Sequence, residues 1–145
     1  MVMIFCFSAE NGSNSTATSN AVTQFVLKLI KPDYDSMTGP EKSAFFAKVA
    51  HIIRKLAHFT EYFLLGLFSS LLLVSVRRPS GKSVGALFVL PVLFAALYAV
   101  FDEGHQRFIQ GRAAQVTDVL IDTAGALAAT LLVALFYFLA RKRQK

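Results

Sequence analysis

Three long apolar stretches constrain the fold of this chain more than any other feature of its sequence. Residues 56–76 carry only His58 and Glu61 as charged or histidine side chains, residues 84–101 carry none, and residues 119–140 carry only Asp122. Because a helix of about 20 mainly apolar residues crosses the hydrocarbon core of a bilayer, each stretch predicts one transmembrane helix. In a soluble domain the same helices would have to be buried on every side, which a chain of 145 residues cannot provide.

The N-terminal third predicts shorter elements. Residues 1–7, MVMIFCF, are apolar but too short to cross a membrane, so we expect them to be the end of a partial first transmembrane helix. The Ser- and Asn-rich residues 8–20 predict a flexible loop, and residues 21–30 predict a short interfacial helix. From Ser43, apolar residues recur at spacings of three and four. This spacing predicts an amphipathic helix that lies at the outer surface and bends into the second span.

The predicted fold class is therefore all-α. We expect a polytopic helical membrane bundle of three complete transmembrane helices plus a partial first one, with an extracytoplasmic amphipathic helix. One domain covers residues 1–145.

The distribution of basic residues predicts the orientation in the membrane. The loop at residues 77–82 contains three Lys or Arg and the tail at residues 141–145 contains four, and neither contains an acidic residue. The positive-inside rule places both segments in the cytoplasm, so residues 8–55 and 102–117 are expected to be extracytoplasmic. The net charge of +6 is read as a topology signal, and we expect no nucleic-acid partner.

Ionisable residues cluster where two of the predicted spans begin. In RKLAHFTEYFLLG, at 100° per residue, one face of about 120° carries Arg54, Lys55, His58, Glu61 and Tyr62. An ionised carboxylate at the depth of Glu61 costs several kcal/mol unless it has a partner, so this face is expected to point into the bundle.

A second polar stripe opens the last predicted span. Asp118 and Asp122 are one turn apart, and a stripe of small residues follows on the same face: Gly125, Ala126 and Ala129. Small residues let a neighbouring helix approach closely. With Asp102 and Glu103 at the end of the third span, the acidic ends of three helices are expected to meet in one layer of the outer leaflet.

The chemistry of this layer leaves three interpretations open. It is either a structural ion-pair network, a ligand-binding or catalytic site, or a divalent-metal site. The candidate acid/base residues, which are also the candidate metal ligands, are Glu61, Asp118, Asp122 and His58.

These motifs resemble the VanZ-like membrane proteins, a family named for an accessory protein of bacterial glycopeptide resistance associated with teicoplanin. The family pattern has a Lys, a His-Phe and a Glu-Tyr before one span, and Asp-Glu, Gln, Phe, Gly-Arg and Asp before the last. The matching residues are Lys55, His58, Phe59, Glu61, Tyr62, Asp102, Glu103, Gln106, Phe108, Gly111, Arg112 and Asp118.

The resemblance implies an integral membrane protein of four helices. Our first hypothesis is a site that takes a membrane lipid, a lipid-linked envelope precursor or an amphiphilic glycopeptide. Arg112 and Lys55 would hold an anionic group of this ligand, and Asp102, Glu103 and Gln106 complete the expected binding residues. The alternatives are an enzyme acting on a lipid head group, and a non-catalytic protein that binds a membrane-protein partner. No cofactor is expected.

Overall fold

The computed structural model describes residues 12–77, 84–107 and 115–143. Throughout these ranges the regular structure is helical: α1 is Gly12–Ile30, a short 3₁₀ helix is Pro32–Ser36, α2 is Gly39–Arg77, α3 is Val84–Gln106 and α4 is Val116–Lys142. This confirms the predicted all-α class. The predicted partial span at residues 1–7 lies outside the described residues.

Three of the helices are long and apolar enough to cross a membrane. The spans are Gly39–Val76, Phe88–Gln106 and Val116–Lys142, and their apolar 18-residue windows have mean hydropathies of 1.7, 1.4 and 2.1. Large apolar side chains on these helices are exposed, for example Phe68 at 65% and Leu97 at 61%, whereas Ser70, Thr130 and Asp122 are buried. Because hydrocarbon solvates apolar surface, this distribution suits a lipid surrounding.

Helix α1 corrects one expectation from the sequence. Residues 12–20, which were predicted to belong to a flexible loop, are helical and continuous with the predicted helix at residues 21–30. Thr23 and Leu27 are fully buried on one face of α1 and anchor it. Ser, Asn and Thr in a helix cost only about 0.5 kcal/mol each relative to Ala, so an anchored helix extends into them at a modest cost.

Helix α2 joins the predicted amphipathic helix and the second span into one unbroken helix of 39 residues. Its start is defined by Thr38, whose carbonyl accepts the Lys42 amide at 2.8 Å and whose hydroxyl donates to Glu41 at 2.7 Å. A Thr three residues before a Glu is a typical helix start.

The contacts within the chain divide it into two compact units. The first unit comprises residues 1–57 and 106–113, and the second comprises residues 58–105 and 114–145. In the first unit, Lys42 pairs with Asp35 at 3.0 Å, and its ammonium group lies 4.8 Å from the centre of the Tyr34 ring. These contacts hold the 3₁₀ helix against the start of α2.

In the second unit, α2 and α4 pack with their backbones almost touching. A Cβ atom added to Gly66 would lie 2.6 Å from the carbonyl oxygen of Ala126, and one added to Gly125 would overlap the carbonyl oxygen of Phe59. The predicted small-residue stripe on α4 therefore lies in a helix–helix contact, as expected from its sequence.

Helix α3 completes the core of the second unit. Its residues Ala95 and Ala99 are fully buried and pack with Tyr62 of α2 and Ala126 of α4. Pro91 lies inside α3 and is also fully buried. Since proline has no amide hydrogen, α3 lacks one of its internal hydrogen bonds at this point.

Candidate functional site

The residues of α2 that face α4 recur at every fourth position. His58, Tyr62, Gly66 and Ser70 are four residues apart, so they lie above one another on one face of the helix. Gly66 provides the close contact to α4, while the other three carry polar atoms. The sequence thus aligns three polar groups along a helix–helix contact that is otherwise made by small residues.

Asp122 of α4 is the most deeply buried acidic residue of this contact. Its side chain is 1% exposed, and its Oδ1 lies 3.6 Å from Nδ1 of His58, whose side chain is 17% exposed. That distance allows an ion pair when the imidazole is protonated but is too long for a good hydrogen bond. Neither carboxylate oxygen of Asp122 has a hydrogen-bond partner in the part of the chain that the structure describes.

Tyr62 lies one helical turn below His58 and is fully buried. Its hydroxyl group likewise has no hydrogen-bond partner among the described residues. Its ring centre is 6.3 Å from that of Tyr98 on α3, at an interplanar angle of 50°. Buried polar atoms are normally hydrogen-bonded, so the unbonded oxygens of Asp122 and Tyr62 mark a place where a ligand group or water can bind.

Four further carboxylates surround Asp122. Each lies close enough to repel the charge of an ionised Asp122: Asp102, Glu103, Asp118 and Glu61. Asp102 and Glu103 are each 5% exposed, and Glu61 and Asp118 are half-buried. The structure thus brings together the predicted acidic residues of three helices around one buried carboxylate.

Glu103 also fixes the beginning of α4. Its Oε2 accepts a hydrogen bond of 2.8 Å from the backbone amide of Gln115, the residue that precedes the helix. The amide groups at the start of a helix carry partial positive charge, so a carboxylate is stabilised there. One carboxylate of the cluster therefore has a clear structural role.

Of the remaining predicted ligand-binding residues, two belong to the first unit and one is not described. Lys55 and Gln106 belong to the first unit, where Lys55 is half-buried and Gln106 is 5% exposed. Arg112, to which the sequence assigns the binding of an anionic group, lies outside the described residues. The roles of all three remain predictions.

Among the residues that the structure describes, the geometry does not support the metal interpretation. Across residues 12–77, 84–107 and 115–143, no group of three or more His, Cys, Asp or Glu side chains is arranged to hold a metal ion.

Two features of this site were missed in the sequence. Tyr98 is one turn before Asp102 on α3, which is the signal that could have placed it beside the carboxylates. Ser70 and Thr130 are buried and share a hydrogen bond of 3.1 Å between their hydroxyl oxygens. Ser70 follows Gly66 by four residues and Thr130 follows Ala126 by four, and this spacing is the signal that could have placed both in the contact between α2 and α4.

The fold and the site define a class of protein. It is a membrane protein of long apolar helices that brings ionisable side chains of three helices together around Asp122. The chain matches the VanZ/LLP1 family over residues 1–137 and belongs to that family. No curated protein and no solved structure gives a significant match to it.

Proposed function

We propose that this protein binds the polar part of an amphiphilic cell-envelope molecule in the cluster around Asp122, on the extracytoplasmic side of the membrane. The ligand is a lipid-linked envelope precursor or an amphiphilic glycopeptide, as in an antibiotic-resistance role. The observation that carries the proposal is the buried Asp122 carboxylate, unbonded among the described residues and next to His58 and Tyr62. A polar group inside a membrane is costly, so its retention points to a function.

The depth of the cluster favours a ligand that enters from one leaflet. Asp118 is in the first turn of α4, and Asp102 and Glu103 are in the last turn of α3. The carboxylates thus lie at one end of these helices, as a head-group site requires and unlike a transport path through the membrane. The exposed apolar sides of the helices leave room for the ligand's hydrocarbon part to remain in lipid.

The side of the membrane follows from charge. The tail that follows α4 is basic and free of acidic residues, and the positive-inside rule places it in the cytoplasm. The carboxylate cluster at the opposite end of α4 is then extracytoplasmic. Asp122 accepts and His58 donates hydrogen bonds to the polar groups of the ligand, and a role of Arg112 and Lys55 in holding its anionic group stays a prediction from the sequence.

The proposal is tested by expressing the chain in a glycopeptide-sensitive Gram-positive host and measuring susceptibility to teicoplanin and vancomycin. We expect wild type to protect selectively against teicoplanin, and Asp122→Asn and His58→Gln to insert at normal levels without protecting. Asp33→Asn, which changes an exposed acidic residue of the first unit, serves as the matched control and should protect like wild type. Full protection by the Asp122 and His58 variants would overturn the assignment of the site.

A second readout covers a lipid ligand. Wild type purified in a mild detergent should retain an envelope lipid, detected by native mass spectrometry, that Asp122→Asn loses. If wild type neither protects nor retains such a lipid, the cluster is a helix lock and the proposal fails. Loss of folding in both the Asp122 and the His58 variants would likewise show that the cluster holds the helices together and does not bind a ligand.

An enzymatic role is the second candidate, because an Asp next to a His can act as an acid/base pair. The Asp122–His58 separation of 3.6 Å is longer than a hydrogen bond, as acid/base contacts often are before a substrate binds. An enzyme predicts that Asp122→Asn keeps ligand binding but removes turnover, whereas simple binding predicts that affinity itself falls.

A further inference from the structure

Helix α1 of the first unit exposes an apolar strip on one of its faces. Val22, Phe25 and Leu29 are 45%, 65% and 67% exposed, while Thr23 and Leu27 on the opposite side are fully buried. At 100° per residue the three exposed side chains lie within about 60° of one another. An apolar strip this continuous is not left in water without a cost, so it needs an apolar occupant.

Next to the strip is a polar cavity of about 280 Å³. It is lined by Gln24 and Lys28 of α1, Tyr34 and Asp35 of the 3₁₀ helix, and Lys42 of α2. Lys28 follows Phe25 by three residues, so the cavity and the strip adjoin along α1. Two ammonium groups, an amide and a phenol make the cavity a suitable place for a phosphate.

We propose that the first unit binds an anionic phospholipid, with its phosphate in this cavity and its acyl chains along the strip of Val22, Phe25 and Leu29. The site suits an amphiphile, because its cationic lining and its apolar strip are adjacent. Helix α2, whose first residues form part of the cavity wall, is itself long and apolar enough to enter the membrane. This lipid site is formed by residues of the first unit and does not depend on the function proposed for the carboxylate cluster.

The carboxylate of Asp35 does not close the cavity to an anion. Its side chain is 83% exposed and pairs with Lys42 at 3.0 Å. A pair this exposed contributes little to stability, so a phosphate can replace Asp35 as the partner of Lys42 at little cost.

The sequence contains no tryptophan, so Phe25→Trp introduces a single indole reporter on the strip. The full chain carrying this change, in detergent, is titrated with dihexanoyl phosphatidylglycerol, dihexanoyl phosphatidylcholine or inorganic phosphate. We expect the anionic lipid to shift the Trp emission to shorter wavelength at concentrations where the zwitterionic lipid has little effect. Inorganic phosphate alone should leave the emission unchanged.

The lysines are tested in the same background. Removing both with Lys28→Gln and Lys42→Gln should raise the dissociation constant for phosphatidylglycerol by about 25-fold, since each lysine near a phosphate contributes about fivefold. Lys48→Gln, an exposed lysine of α2 that does not line the cavity, is the matched control and should change nothing. Circular dichroism of each variant confirms that the helices remain.

Several results would overturn the lipid site. Equal responses to the anionic and zwitterionic lipids, or an unchanged affinity in the double-lysine variant, would show that the cavity does not recognise the phosphate. Competition showing that inorganic phosphate binds as tightly as the lipid would make the ligand a free phosphate. An emission shift that grows with protein concentration in the absence of lipid would show that a second copy of the chain covers the strip.

Discussion

Replacing Gly66 by alanine should separate α2 from α4. The added Cβ would lie 2.6 Å from the Ala126 carbonyl oxygen, and since ordinary contact begins at 3.4 Å, the helices have to move apart by about 0.8 Å. The same movement lengthens the Ser70–Thr130 hydrogen bond from 3.1 Å to about 3.9 Å, beyond hydrogen-bonding range. Overpacking costs about 1–3 kcal/mol, and a hydrogen bond between membrane helices contributes about 0.6 kcal/mol.

Replacing glycine by alanine also changes helix propensity, and a second glycine serves as the control for this effect. Alanine favours a helix over glycine by about 1 kcal/mol, and Gly104 in α3 has nothing within 4 Å of its added Cβ. Gly104→Ala therefore reports the gain in helix propensity without a clash. The free energy of unfolding of Gly66→Ala should lie about 2–3 kcal/mol below that of Gly104→Ala.

The measurement is unfolding by sodium dodecyl sulfate in mixed micelles, followed by circular dichroism. Gly125→Ala should behave like Gly66→Ala, because its added Cβ meets the Phe59 carbonyl. The Gly66→Ala, Gly125→Ala double variant should lose less free energy of unfolding than the sum of the two single variants, because the first substitution already separates the helices. Equal stability of the Gly66 and Gly104 variants would refute the close packing of α2 on α4.

Three further predictions test two other contacts and the orientation in the membrane. A double-mutant cycle with Ser70→Ala and Thr130→Val should give a coupling free energy of about 0.6 kcal/mol in the same unfolding assay, and a value near zero would mean that the two hydroxyls do not bond. Glu103→Gln should destabilise the start of α4, seen as faster amide exchange in its first turn, because the amide-bound carboxylate becomes neutral. With the native cysteine removed, Ser36→Cys should react with an impermeant maleimide on intact cells and Lys145→Cys only after lysis, and the reverse pattern would invert the proposed orientation.

The sequence predicts the spanning helices well because their signal is local. A run of about 20 apolar residues specifies a membrane helix without reference to the rest of the chain. The stripe that includes Gly125 and Ala126 was also readable, since a four-residue period places side chains on one face. The sequence also marked Asp122 as a candidate site residue, since it is the single charge within its apolar stretch.

The parts that were missed depend on contacts between distant segments. The helicity of residues 12–20 follows from the burial of Thr23 and Leu27, which propensity alone does not reveal. The Ser70–Thr130 hydrogen bond joins residues 60 positions apart, and each looks unremarkable in its own helix. Tyr98 is similar, since its contact with Tyr62 depends on how α3 packs against α2.

Two contacts at different depths, His58–Asp122 near one end and Ser70–Thr130 further along, fasten α2 to α4 within the second unit. With the close backbone contacts at Gly66 and Gly125 between them, these two points oppose sliding of the helices, so we expect α2 and α4 to move together. Helix α3 contains Pro91, which removes one of its internal hydrogen bonds, so we expect α3 to be the helix that adjusts when a ligand binds. Spin labels on α2 and α4 should keep a constant separation when a ligand binds, while distances to the Asp102 end of α3 change.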